Sequence, residues 1–199
     1  MISTLTSFPV GVPPAAPSGR APSAAAPTAA PTPALRELLV ADGAAAAIGE
    51  LLSNARLPAH LIAPAGSARA ALAALSAALE GQRLAGHPLD VLHLVAHGRA
   101  GAISLGGHWI GTAALASISA SLIVWNVRRI ALWSCHVGTD SALAQVLAAL
   151  TGAEVLASSA ALGMVDGAPC WRLEGASGPA SLSAPFAPAV MASWPHQLR

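Results

Sequence analysis

Residues 89–98 read Leu-Asp-Val-Leu-His-Leu-Val-Ala-His-Gly, and residues 130–138 read Ile-Ala-Leu-Trp-Ser-Cys-His-Val-Gly. The first contains a predicted strand over residues 89–95, apolar apart from Asp90 and His93, and the second overlaps a predicted strand over residues 129–133. Each strand is followed closely by a residue with reactive chemistry, His97 in the first case and Cys135 in the second. A run that is apolar on both faces is typical of a parallel strand buried between two helix layers. The two runs therefore predict central strands of an α/β domain.

Short and long apolar segments alternate on both sides of these two runs. Further strands are predicted at residues 38–41, 60–63, 154–157 and 170–173, with a small hairpin over 102–105 and 108–110. Helices are predicted at residues 44–55, 67–80 (capped by Ser67), 112–122 and 140–150. Alternating strands and helices with short connections predict a mostly parallel sheet of about six strands, covered by helices on both faces.

The two ends of the chain differ in composition from its middle. Residues 1–34 are mostly Pro, Ala, Ser and Thr, which bury too little apolar surface to offset the entropy of ordering. They are predicted to be a disordered tail, followed by one α/β domain over residues 35–178. Residues 179–199 are Pro-rich and are expected to form a weakly structured C-terminal extension.

The composition excludes several classes of function. All ten basic residues are Arg, the net charge is +1, and no basic cluster is present, so no nucleic-acid partner is expected. Two cysteines cannot form a disulfide framework, and no classical signal peptide precedes the domain, which favours a cytoplasmic location. Residues 110–127 lack charge and favour a buried helix; attachment to a membrane through them stays an alternative. No feature of the sequence specifies an oligomeric state.

The two central strands end in a pair of groups suited to nucleophilic catalysis. In open α/β sheets, reactive groups lie just beyond the carboxyl ends of the strands. If the two strands are neighbours, the imidazole of His97 and the thiol of Cys135 emerge side by side, and the imidazole can take the thiol proton. A helix after Cys135 would lower the pKa of the thiol. The amides of Gly98 and Cys135 are candidates for an oxyanion hole.

Other polar residues near these strand ends are candidates for a substrate cleft. Each also has a plainer interpretation: solvation for an arginine, a turn position for a histidine, a helix-dipole partner for an acid, and the end of a strand for a serine. The candidates are Arg99, His108, Ser134, His136, Asp140, Ser158 and Ser159.

A metal site is not predicted. His93 and His97 lie four residues apart on one strand, which separates their rings by about 13 Å, too far to bind one ion. His93 is interpreted as an interior histidine and Cys170 as a core residue. No metal and no organic cofactor is expected.

The ordered set of motifs resembles the caspase-like cysteine peptidases of clan CD, which include caspases, gingipains and clostripain. It is most similar to the bacterial domain-of-unknown-function family 4347. The matching segments are residues 96–98, 103–106, 134–135, 150–158 and 171–174. In that family Ser occupies the position of Ala96 and Gly the position of Ser134, so the chain departs from the pattern at both.

The resemblance implies a three-layer caspase-like sandwich and a function. The function is a cysteine endopeptidase or a self-processing protease domain acting on a protein or peptide substrate, with His97 and Cys135 as the catalytic dyad. The two departures from the family pattern support an alternative, a catalytically silent caspase-like module that binds a protein partner.

Overall fold

The structure is a computed structural model and describes residues 35–45, 47–84 and 89–199. Its strands are β1 (Glu37–Asp42), β2 (Ala59–Ile62), β3 (Leu89–Val95), β4 (Gly98–Arg99), β5 (Ala102–Leu105), β6 (His108–Ile110), β7 (Val127–Trp133), β8 (Glu154–Leu156), β9 (Gly163–Val165), β10 (Ala168–Cys170), β11 (Glu174–Gly175) and β12 (Gly178–Pro179). Its helices are α1 (Ile48–Leu52), α2 (Ala68–Leu84), α3 (Thr112–Ala116), α4 (Ser119–Leu122), α5 (Ala142–Thr151) and α6 (Pro188–Ser193).

A five-stranded parallel sheet forms the centre of the α/β fold, in the order β2-β1-β3-β7-β8. The predicted α/β class and parallel sheet are confirmed, and the two runs that end in His97 and Cys135 are neighbouring strands. Val95 at the end of β3 is in register with Trp133 at the end of β7. The carboxyl ends of β3 and β7 therefore lie side by side at one edge of the sheet.

Two hydrophobic clusters cover the two faces of the sheet. On one face, α2 packs Leu72, Leu75 and Leu79 against the strands, at the helical spacing that the sequence predicts. The Oγ of Ser67 accepts the amide of Ala70 at 3.1 Å, which confirms the predicted helix cap. The other face is covered by α1 and by the chain beyond β8; its large buried side chains include Leu162, Leu173, Phe186, Trp194 and Leu198.

The predicted sixth strand of the central sheet is wrong. Residues 170–173 do not join that sheet; Cys170 instead ends β10, which pairs antiparallel with β9. Asp166 and Gly167 connect β9 to β10 and both have positive φ, at 50° and 80°. An Asp-Gly pair in this conformation forms the tight turn that matches the twist of an antiparallel hairpin, so this segment pairs locally.

The prediction of a weakly structured C-terminal extension is also wrong. Phe186, Trp194 and Leu198 are each at most 2 % exposed, and α6 lies between the first two. These three large apolar side chains bury enough surface to hold a segment that is otherwise rich in Pro and Ala. The predicted disordered tail, residues 1–34, lies outside the described residues.

Two predicted helices are shorter than expected. The helix expected over residues 44–55 is α1 alone, and the one expected over 112–122 is divided into α3 and α4 at Ser117 and Ile118. The uncharged stretch 110–127 is thus divided among a strand end, two short helices and the start of β7. In the part of the chain that the structure describes, no helix combines the length and the apolarity that crossing a bilayer requires.

Candidate functional site

His97 and Cys135 each lie two residues beyond the last paired positions of β3 and β7. The amide of Ala96 still donates to the carbonyl of Trp133 at 3.2 Å, so the contact between the two chains continues past the strands. Cys135 packs in the same cluster as Val95 and Trp133. His97 and Cys135 therefore follow the paired ends of neighbouring strands, at the same edge of the sheet.

Two backbone amides beside these residues converge on a single oxygen. The amides of Gly98 and Cys135 donate to the carbonyl oxygen of Leu198, at 3.0 and 2.9 Å. The close approach of the Gly98 backbone to residues 134 and 135 requires glycine. A Cβ on Gly98 would lie 2.5 Å from the Cys135 oxygen and 2.7 Å from the Cβ of Ser134. These amides were the predicted oxyanion-hole pair; that role stays a prediction, while their convergence is a geometric fact.

The thiol of Cys135 is fully buried and contacts the backbone of Leu162. Its Sγ accepts the Leu162 amide at 3.1 Å and lies 3.5 Å from the Leu162 carbonyl oxygen. Burial raises the pKa of the thiol above its ordinary value, against the opposing effect of backbone hydrogen bonds from Leu162 and Leu198 and of the Arg199 charge.

The expected lowering of the Cys135 pKa by a following helix is therefore wrong. A three-residue 3₁₀ turn, Val137–Thr139, comes between the cysteine and α5. Such a short turn carries little dipole, and desolvation of the thiolate outweighs it.

His97 is half-buried at the rim of the sheet. Its carbonyl accepts the amide of Ser104 at 2.8 Å, which fixes the backbone against β5. Its Nδ1 atom is buried and has no hydrogen-bond partner among the described residues. A buried ring nitrogen without a partner is unfavourable in a folded protein and is concentrated where a group has a role beyond stability.

Four of the predicted cleft residues lie on the loops around Cys135. Ser134 is fully buried, and its Oγ has no hydrogen-bond partner in the described part of the chain. His136 has a left-handed backbone, with φ of 59°, and its Nδ1 donates to the Ser159 carbonyl at 3.3 Å. Ser158 is buried and donates to the carbonyl of Ala160 at 3.1 Å, whereas the exposed Ser159 donates to Glu174 at 3.0 Å. These residues shape the Cys135 loop mainly through backbone contacts.

Three other cleft candidates have partners of their own. The exposed Arg99 guanidinium lies 4.2 Å over the ring of Trp109. The Nε2 of His108 donates to the Ala65 carbonyl at 2.7 Å, so this histidine is not a free turn residue. A carboxylate oxygen of Asp140 accepts the amide of Ala142 at 3.0 Å, at the start of α5, in agreement with the plainer interpretation of an acid at a helix start.

His93 is an interior residue, as the sequence predicts. It is fully buried, and its Nδ1 accepts the indole N–H of Trp133 at 3.0 Å. Burial, aided by the charge of Arg56, lowers the pKa of His93 to about 4, although Glu37 lies 3.6 Å from its Nε2. The neutral form is favoured because protonating Nδ1 would break the bond from Trp133. Within the described ranges, no three His, Cys, Asp or Glu side chains are grouped so as to hold a metal ion.

The residues that contact the site from the second half of the chain were not predicted from the sequence. Leu162 contacts the thiol, Leu198 supplies the carbonyl that the two amides hold, and Met164 pairs with the segment before Leu198. The Asp166-Gly167 pair signals a hairpin that starts near Leu162 and was available in the sequence. The return of Leu198 to the site had no comparable local signal.

Comparison with known proteins gives one match. The family model described as Domain of unknown function (DUF4347) matches residues 38–198. No curated protein and no solved structure matches the chain. The match spans the described fold from β1 to the buried Leu198, including both strand ends of the candidate site. The chain therefore belongs to the domain-of-unknown-function family DUF4347.

Proposed function

We propose that this chain is a caspase-like cysteine endopeptidase, or a self-processing protease domain, in which Cys135 and His97 form the catalytic dyad. The observation that carries the proposal is the pair of amides, Gly98 and Cys135, that hold one carbonyl oxygen at 3.0 and 2.9 Å. Oxyanion holes present donors at this distance from the oxygen that becomes negative. A thiol and an imidazole leave the sheet at the same edge, which supplies the groups that acyl transfer needs.

The reaction proceeds in two steps. In the first, His97 takes the thiol proton and the Cys135 sulfur bonds to the scissile carbonyl carbon. The C–N bond then breaks and His97 returns the proton to the leaving amine, which leaves a thioester. In the second step, water adds to the thioester carbonyl while His97 takes its proton. The S–C bond breaks, the acid is released and the thiol is restored.

The environment of the thiol makes His97 essential to this reaction. Because burial raises the pKa of Cys135, the thiol is protonated at neutral pH and cannot attack without a base. His97 is the candidate for that base. Its buried Nδ1 makes no hydrogen bond to any described residue. If the protease cleaves its own chain, the bond to be cut is Leu198–Arg199, because the Leu198 carbonyl is the one that the Gly98 and Cys135 amides bind.

A second candidate function is a catalytically silent module that binds a protein partner. It is favoured by the full burial of the Cys135 side chain and by the bond from the Leu162 amide to its sulfur. Ser134 is buried where the family pattern has Gly, and its Cβ lies against Gly98. In this alternative the two amides would serve only to bind a main-chain carbonyl.

Labelling with an activity-based electrophile separates the two candidates. The peptidase proposal predicts that Cys135 is labelled and that His97→Ala lowers its labelling rate by about 100-fold or more, the usual contribution of a general base. Cys170 is the matched control, because it is a second free thiol, half-buried, whose rate should not change. Equal, slow labelling of both thiols, unaffected by His97→Ala, would instead support the silent module.

A further inference from the structure

The last residues of the chain run through the candidate site and bind to it through their backbone. The carbonyl of Leu198 accepts the Gly98 and Cys135 amides, and the amide of Leu198 donates to the Leu162 carbonyl at 3.0 Å. Two residues earlier, the His196 carbonyl accepts the amide of Met164 at 2.9 Å. This alternation of donor and acceptor is that of an antiparallel strand pair. Residues 194–198, the C-terminal segment, thus pair with residues 162–164 through one antiparallel bridge, between Gly163 and Gln197.

The C-terminal segment is buried at its two ends and more exposed between them. Leu198 is fully buried and packs in the cluster that includes Cys135. His196 is exposed, and Gln197 donates from its Nε2 to the Met164 carbonyl at 2.6 Å. Trp194, 2 % exposed, anchors the start of the segment. Pairing of the backbone with one buried side chain at its end is how proteins recognise an extended peptide by adding a strand.

The opposing strand is adapted to this close approach. Gly163 is bridged to Gln197 and has φ of 113°, a conformation that side chains rarely adopt. A Cβ at Gly163 would also collide with the His196 carbonyl oxygen. The position beside the segment therefore requires glycine for two separate reasons.

We propose that the C-terminal segment occupies the peptide-binding cleft of this site in the register of a substrate. The inference rests on the proposed function, and it names the substrate class. That class is an extended peptide with an apolar residue of about the size of leucine at the position of Leu198, directly before the bond to be cut. Because one carbonyl fills the hole at a time, the segment must leave before another peptide can bind, so the chain blocks its own site.

The inference predicts that a folded chain lacking residues 196–199 binds the missing peptide from solution. The probe is fluorescently labelled His-Gln-Leu-Arg, the sequence of residues 196–199. It is titrated into a truncated chain that also carries Cys135→Ala, so that no chemistry is needed. We expect binding at least about tenfold tighter than that of the matched peptide with Asp in place of Leu, because a charge would enter an apolar pocket. The full-length Cys135→Ala chain should bind the probe at least about tenfold more weakly than the truncated one.

Alkylation of Cys135 by iodoacetamide gives a second readout that does not depend on a ligand. A buried thiol reacts only when the structure opens locally, so Leu198→Ala in the full chain should raise the Cys135 rate at least about tenfold. Cys170 is the internal control and should change by less than about twofold. If the truncated chain fails to fold, as judged by circular dichroism, the alkylation of the full-length variant decides the question.

Failure of the inference and failure of the proposed function are distinguishable. Equal affinity for the Leu and Asp peptides, or unchanged alkylation of Cys135 in Leu198→Ala, would overturn the inference alone. A chain that binds the Leu peptide as expected, but whose Cys135 shows no His97-dependent labelling, would keep the inference as a binding property and refute the peptidase.

Discussion

Replacing Gly98 by Ala tests the close approach on which the candidate site depends. The added methyl would lie 2.5 Å from the Cys135 oxygen, 2.7 Å from the Ser134 Cβ and 2.9 Å from the Cys135 nitrogen. Two of these three atoms are backbone at the end of β7, which cannot move without disturbing the centre of the sheet. Overpacking of a well-filled core costs about 1–3 kcal/mol, and we expect a value near ~3 kcal/mol because the obstructing atoms are rigid.

The same substitution should also separate the two amides that hold the Leu198 carbonyl. Loss of one donor from an oxyanion hole lowers the rate by about 100-fold or more. Electrophile labelling of Cys135 should fall by that factor when both compared chains also carry Leu198→Ala, so that the C-terminal segment does not block the site. Urea unfolding followed by tryptophan fluorescence measures the stability change, and peptide mapping of the labelled thiol measures the second effect. Labelling is compared at a urea concentration where both chains are folded.

Gly49→Ala is the matched control for Gly98→Ala. Gly49 lies in α1, and a Cβ there would have no atom within 4 Å. Alanine in a helix is more favourable than glycine, so this variant should gain roughly 0.5–1 kcal/mol. If Gly98→Ala unfolds and labels like the unmodified chain while Gly49→Ala behaves as expected, the described contact between Gly98 and the Cys135 backbone is refuted.

Three further predictions follow from the described contacts. Intact-mass measurement should show that the chain loses Arg199 on incubation and that the Cys135→Ala variant keeps it. If both chains keep Arg199, self-processing after Leu198 is refuted. His93 has its pKa lowered to about 4 in the fold from about 6.5 when unfolded, so its contribution to stability is present above pH ~6.5 and is lost as the pH falls toward ~4. That loss amounts to about 3 kcal/mol of unfolding free energy. In a series of urea denaturations at different pH, His93→Gln should make the unfolding free energy depend less on pH in this range. An unchanged dependence would contradict the lowered pKa. Asp42 is 1 % exposed and accepts three hydrogen bonds, at 2.8–3.1 Å, so Asp42→Ala should cost about 2–4 kcal/mol in the same assay by leaving buried donors unpaired; a change below ~1 kcal/mol would argue against that network.

The central strands were predictable because their sequences carry a local signal. The run ending at Val95 is apolar on both faces, and its predicted bounds agree with β3. The hairpin of β5 and β6 was also predicted with its bounds, since Gly106 and Gly107 permit the positive φ values, 58° and 81°, that its turn adopts. The structure of residues 112–122 was harder to predict. Their Ala, Ser and Leu residues favour one continuous helix, while tertiary packing divides that helix into two.

The candidate site was predictable only in part. The rule that reactive groups gather at the carboxyl ends of parallel strands pointed to His97 and Cys135. Their proximity also required that β3 and β7 be neighbours, a condition that the sequence left open and that the strand order meets. The direction of the Cys135 pKa shift was not predictable. It depends on the burial of the thiol, in a cluster to which residues distant from it in the sequence, such as Leu162 and Leu198, contribute.

The sequence by itself determined the local elements, the parallel α/β class and the pair of reactive residues at two strand ends, because periodicity and turn chemistry act over a few neighbouring residues. Only the tertiary structure decided what meets those residues. The chain beyond β8 covers one face of the sheet. Leu198 returns to the amides of Gly98 and Cys135, which lie 100 and 63 residues earlier in the sequence. Contacts of that range depend on the shape of the whole core, and a segment rich in Pro and Ala carries no periodic pattern to announce them.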